Sequence, residues 1–203
     1  MKMTDMILNL LIFLVTFVLV LRFPWKDGQW LPDRWKKAFR YFTVQSNVLC
    51  AASCLLSAIF GIGGEISEKI WLLKYIGTAA VTVTMLTVFL FLAPSIGKDG
   101  LKVLLGSVSD FFMHLVTPVA AIVSFCLLEK RGMSFPVALL GMLPVVLYGI
   151  QYIRRTQFGP AEKRWEDFYG FNRNGKMVYS AIGMLIGTFL ICMGLMALQN
   201  AAG

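Results

Sequence analysis

Charge is scarce in this chain. Asp, Glu, Lys and Arg make up 15% of its 203 residues and hydrophobic residues 58%, whereas an ordinary soluble domain is roughly a quarter charged. That shortage, with the apolar residues gathered into long blocks, excludes a soluble globular domain. Histidine is nearly absent. His114 is the only one, so this chain alone cannot supply a bis-histidine haem or a histidine-rich metal cluster. The four cysteines, Cys50, Cys54, Cys126 and Cys192, all lie inside apolar blocks. This placement excludes a disulfide-stapled ectodomain and leaves them as small packing residues. Basic residues interleaved with aromatics on a polar face are missing too, so the net charge of +8 does not point to nucleic acid. Residues 1–100 and 101–203 share no repeat.

What is present is a succession of apolar blocks, at about 6–21, 35–62, 70–93, 104–128, 135–153 and 177–198. Each is near or above the ~20 residues that cross a bilayer. The first is read as a helix and not a cleaved signal, because Asp5 precedes it and no small-residue cleavage site follows. The expected fold is all-α: a polytopic membrane protein, one domain over 1–203, built as a bundle of six transmembrane helices.

Basic residues set the orientation. Arg22, Lys26, Arg34, Lys36, Lys37 and Arg40 follow helix one, Lys98 and Lys102 follow helix three, and Arg154, Arg155, Lys163, Arg164, Arg173 and Lys176 follow helix five. Lys2, Lys69, Lys74, Lys130 and Arg131 fall on the opposite side. The asymmetry predicts both termini on the extracytoplasmic side of a cell membrane. In the loop after helix five, Trp165, Phe168, Tyr169 and Phe171 alternate with charges. That pattern suits an interfacial segment, or equally a cover over a cavity mouth.

Ionisable groups inside membrane helices are costly and mark functional sites by default. Block four holds two, Asp110 and His114, on one helical face four residues apart. Block two carries Thr43, Ser46, Asn47 and Cys50 at helical spacing, with Gln45 beside them. Successive buried amides need several partners each, so a polar pocket accounts for them better than helix packing alone. With Trp35 and Lys102 as interface markers, Thr43 lies ~12 Å deep and His114 ~18 Å deep, close enough for helix tilt to bring them together.

Such a meeting allows nucleophilic catalysis. A threonine hydroxyl attacks a carbonyl when a base takes its proton, and a neutral histidine suits that task. Asp110 is then a candidate to orient His114, and Asn47, Gln45 and Ser46 are candidates to bind substrate or a developing oxyanion. A structural histidine and a proton-coupled pathway through Asp110 and His114 stand as alternatives.

The run Phe42-Thr43-Val44-Gln45-Ser46-Asn47, followed two helices on by Asp110, His114 and Pro118, resembles the androgen-induced-gene family and its bacterial relatives. The best-known members of that family are multi-span threonine hydrolases of fatty acid esters of hydroxy fatty acids. The resemblance implies a threonine nucleophile at Thr43, a histidine base at His114, membrane lipids and a lipid ester as partners, and no cofactor. After helix five the chain departs from the family, with Phe158-Gly159-Pro160 and a charged run in place of an aromatic, proline-rich stretch.

Other roles are weighed against this. A transporter would use discontinuous helices, and here Pro118 and Pro144 interrupt only the second half, while Thr78, Thr82 and Thr87 stand along helix three. An acyltransferase would show the same dyad, or use Cys50. Phe111, Phe112, Met113, Met85 and Phe89 are candidates to line an apolar groove. Gly183 and Gly187 offer a close-packing face within the chain or in a homo-oligomer.

Overall fold

The computed structural model describes residues 3–129 and 131–202, so Lys2 and Lys130 of the charge count lie outside the described residues. Among the described residues, six helices are long and apolar enough to cross a membrane: α1 Met3–Arg22, α2 Phe42–Phe60, α3 Glu68–Ile96, α4 Val108–Leu128, α5 Phe135–Gln157 and α6 Met177–Ala202. The protein is therefore all-α, with the build of a multi-pass membrane protein. Large apolar side chains such as Leu11, Leu14, Phe17, Ile186 and Leu190 point outward, as lipid-facing residues must.

α2 packs between α1 and α3, and α3 also meets α4, α5 and α6, which makes it the most enclosed span. The α2–α3 crossing is close because Gly77 has no side chain. A Cβ there would meet Ser53 Oγ at 2.8 Å and the Cys50 Cα at 2.9 Å. Cys50 and Cys54 are buried in this layer with Ile12 and Ala121.

Several boundaries differ from the sequence reading. The second block divides: a short helix Pro32–Ala38 precedes α2, and the chain turns at Phe39 to Tyr41. The short helix leaves Lys36 and Lys37 exposed, and the Trp35 indole donates to the Val20 carbonyl at the end of α1. Thr43 consequently begins its helix instead of lying two turns inside it. α3 does not stop at Pro94. A π turn over Val88–Leu92 precedes the proline, widening the helix where the ring and missing N–H would otherwise break it. The first half thus has its own break, contrary to expectation. Before Pro118 the turn Phe112–Val116 does the same for α4, and a 3₁₀ turn precedes Pro144. α4 starts at Val108, because the Ser107 hydroxyl caps it by accepting from the Asp110 amide, and Gly100–Leu104 forms a separate helix.

Two further corrections concern charge and packing. Lys74, counted above among basic residues flanking a loop, is fully buried within α3. Gly183 and Gly187 meet nothing within 4 Å of an added Cβ, so they open a groove between α3 and α6 and do not pack a helix of this chain closely. Hydrogen bonds from Lys74 to Asp5 and from Asn200 to the Met133 carbonyl bring both ends of the chain to the end of the bundle holding the α2–α3 and α4–α5 connections.

Candidate active site

Thr43 is the second residue of α2, and His114 sits in the π turn of α4. Thr43 Oγ1 lies 3.4 Å from His114 Nε2. The other ring nitrogen, Nδ1, lies 2.9 Å from the Leu104 carbonyl oxygen. A carbonyl can only accept, so Nδ1 carries the proton and Nε2 presents its lone pair to the threonine. At 3.4 Å the contact is loose, as catalytic bonds often are before substrate arrives. His114 is 8% exposed and Thr43 only partly buried, so the pair borders open space.

That space is a cavity of about 1180 Å³ bounded by α2, α3, α4 and α6. A second, almost wholly apolar cavity of about 200 Å³ runs between α2, α3, α5 and α6 past Val88, Val145 and Met184. Thr43 lines both. An ester lying across this junction would have an apolar slot for a chain and a wider chamber for the rest.

The residues around the pair have other duties than those expected. Asn47 donates to the carbonyls of Thr43 at 2.8 Å and Met113 at 3.1 Å. One amide proton is spent within α2 and the other ties α2 to α4, so Asn47 positions the pair and has none left for an oxyanion. Ser46 bonds to the Thr43 carbonyl at 3.1 Å and to Thr84 Oγ1 at 2.8 Å, linking α2 to α3. Gln45 turns away from the cavity, donating to the Phe39 carbonyl at 2.8 Å and to Gln151. Asp110 does not orient His114. Its carboxylate accepts from the Ser107 hydroxyl at 2.6 Å, one turn nearer the helix start, and Leu104 takes the orienting role. Of the groove candidates only Met113 lines the large cavity; Met85 lines the α3–α6 groove, and Phe111 is exposed.

The loop after α5 contributes more than the sequence reading assigned it. Asp167 accepts from the Tyr152 hydroxyl at 2.7 Å and from the amides of Phe171 at 2.9 Å and Asn172 at 2.7 Å. The turn so formed carries Tyr169 over the start of α2, where its hydroxyl accepts from the Phe42 amide at 2.9 Å. Tyr41, the residue before α2, offers no side-chain cap, and Tyr169 supplies one from 127 residues away. Burial pushes the Tyr169 phenol up to about 12, so it stays protonated. Phe168, Tyr169 and Arg173 wall the large cavity, and the loop therefore roofs the Thr43–His114 pair. The clustered aromatics were visible in the sequence, but nothing in their spacing named the first turn of α2 as their target.

Among the described residues, no three His, Cys, Asp and Glu side chains group to hold a metal ion. Cys50 is fully buried at the α2–α3 crossing and lines neither cavity. Comparison with protein-family models, curated proteins and solved structures finds no match.

Proposed function

We propose that the protein is an intramembrane ester hydrolase in which Thr43 is the nucleophile and His114 the general base. The observation that carries this reading is the Thr43 Oγ1 to His114 Nε2 approach of 3.4 Å, with Nδ1 held on the Leu104 carbonyl. His114 Nε2 takes the threonine proton as Oγ1 attacks the ester carbonyl, then returns it to the departing alkoxide, leaving an acyl-threonine. Water attacks that ester with His114 again as base, releasing the acid and restoring the hydroxyl. The Phe42 amide is taken by Tyr169 and that of Gln45 by the Tyr41 carbonyl, which leaves the Thr43 and Val44 amides of the first turn of α2 as candidate donors to the developing oxyanion.

The substrate class follows from the cavities. A long apolar chain suits the slot lined by Val88, Val145 and Met184, and the chamber beside it has room for a second chain. Fatty acid esters of hydroxy fatty acids, the substrates implied by the family resemblance, fit that description. The excess of Lys and Arg in the connections after α1, α3 and α5 would place the Thr43 end of the bundle on the cytoplasmic side of a cell membrane. The rival reading, a proton pathway through Asp110 and His114, loses support because Asp110 is engaged with Ser107.

The test is hydrolysis of such an ester by purified, detergent-solubilised protein beside Thr43→Ala and His114→Ala. Each substitution is expected to lower kcat at least about 100-fold with the fold retained. Full activity in Thr43→Ala would remove that residue as nucleophile, and a wild type inert on several lipid esters would sink the hydrolase reading itself.

A further inference from the structure

At the end of the bundle opposite Thr43, three charged side chains are sealed inside the protein. Lys74 of α3 donates to Asp5 of α1 at 3.4 Å, to the Ser124 hydroxyl of α4 at 2.7 Å, and to Glu129 just past the end of α4. Side chains of Lys74 and Asp5 are fully buried and that of Glu129 is 6% exposed. The Ser124 hydroxyl also bonds to Asp5 and to Asn9 of α1.

Among the described residues the charges do not balance. One ammonium faces two carboxylates, and a surplus negative charge without water is expensive. No other described group makes up the difference. The Arg131 guanidinium is turned to the Ile66 carbonyl at 2.6 Å, α2 carries no charged side chain, and α6 brings the neutral Gln199 amide, which donates to the Glu129 carbonyl. Both carboxyl groups bond to the one Lys74 ammonium, and the Ser124 hydroxyl, itself bonded to Lys74, donates to Asp5. Yet among the described residues Asp5 Oδ2 and Glu129 Oε2 are each buried without a donor, as is Gln199 Oε1. Two carboxyl groups gathered on one ammonium, each with a buried oxygen that lacks a donor, are short of a proton. Ser124 moreover lies in the π turn Val123–Leu128, as His114 lies in the first π turn of α4, and such turns concentrate at functional sites.

We propose that Asp5, Lys74 and Glu129 form a binding site for one proton, shared by the two carboxyl groups and exchanged through the slightly exposed Glu129. The proposal is independent of the hydrolase reading. With the proton bound, the cluster is neutral and ties α1, α3 and α4 together; without it, a buried negative charge strains the same crossing.

Burial pushes the Glu129 carboxyl up to about 7, with Lys74 opposing the shift and Asp5 adding to it. A carboxyl raised in the folded state contributes stability below its ordinary range, and that stability is lost as pH rises through about 7. Thermal unfolding of the purified protein from about pH 5 to about pH 9 reads this directly. The wild-type Tm is expected to fall across neutrality, and Glu129→Gln to flatten that fall and raise the Tm at the alkaline end. Infrared spectra of the wild type below neutrality are expected to carry the C=O band of a protonated carboxyl that disappears as pH rises, and Asp5→Asn to shift or abolish it even if Glu129→Gln does not fold. A wild type without that band, or one whose Tm slope persists in Glu129→Gln, overturns the proposal. So does an alkaline Tm restored by sodium or potassium chloride but not by choline chloride, since the occupant would then be a metal cation.

Discussion

The Phe42 amide and the Tyr169 hydroxyl meet at 2.9 Å although 127 residues separate them. This bond seats the roof of the cavity on the first turn of α2, next to Thr43. Tyr169→Phe keeps the ring and its packing but removes the acceptor. The expected result is a roughly tenfold fall in kcat, equivalent to about 1.4 kcal/mol, with KM little changed, because the loss falls on nucleophile placement and not on the apolar slot. Steady-state kinetics on a lipid ester check this. An unchanged kcat would mean that Thr43 is held without the tyrosine.

Asn47 spends one amide proton on the Thr43 carbonyl of its own helix and the other on the Met113 carbonyl across the α2–α4 contact. Asn47→Leu should destabilise the protein by about 1–3 kcal/mol, the cost of losing the buried bond to the Met113 carbonyl, and should lower hydrolysis as Thr43 and His114 drift apart. Denaturant unfolding in detergent beside activity assays measures both. Wild-type stability in this variant would assign the crossing to packing alone.

Asp110 bonds to Ser107 and not to His114. Asp110→Asn is therefore expected to leave hydrolysis within about twofold of wild type, a change of about 0.4 kcal/mol. A collapse comparable to that of His114→Ala would bring Asp110 back into the chemistry and favour a proton pathway.

Two glycines should behave oppositely. Gly77→Leu drives a side chain into Ser53 and the Cys50 backbone, and overpacking of this kind costs about 1–3 kcal/mol or more. Gly183→Ala meets nothing in the chain and is expected to stay within about 0.5 kcal/mol of wild type. Thermal unfolding separates them. Strong destabilisation by Gly183→Ala would reveal a second copy packed on the α6 face.

Much of the architecture is legible in the residues themselves. Blocks of apolar residues near twenty in length can satisfy their backbone only as helices in an apolar layer, so all six spans could be read with boundaries off by a turn or so. The larger boundary errors, at residues 35–41 and 94–107, fall where a cap, a bulge or a charged short helix overrides the apolar run. Thr43 and His114 could be singled out because an ionisable or polar group in such a block needs a reason. Their supporting cast could not. Gln45, Asn47 and Asp110 are chemically able to serve an ester, and which way each turns depends on the nearest free carbonyl or hydroxyl.

Lys74 makes the same point at the other end of the bundle. Its neighbours in sequence suggest a basic residue near a loop, whereas Asp5 and Glu129, 69 and 55 positions away, draw it inside. Residue type and hydrophobic period thus determined by themselves that this chain makes six apolar helices and carries a threonine and a lone histidine among them. Tertiary structure alone decided that Leu104 sets the histidine tautomer, that Tyr169 caps the helix of Thr43, and that two carboxylates share one lysine. Each of these rests on groups distant in sequence, and a hydrogen bond depends on direction and distance in space, which no local pattern encodes.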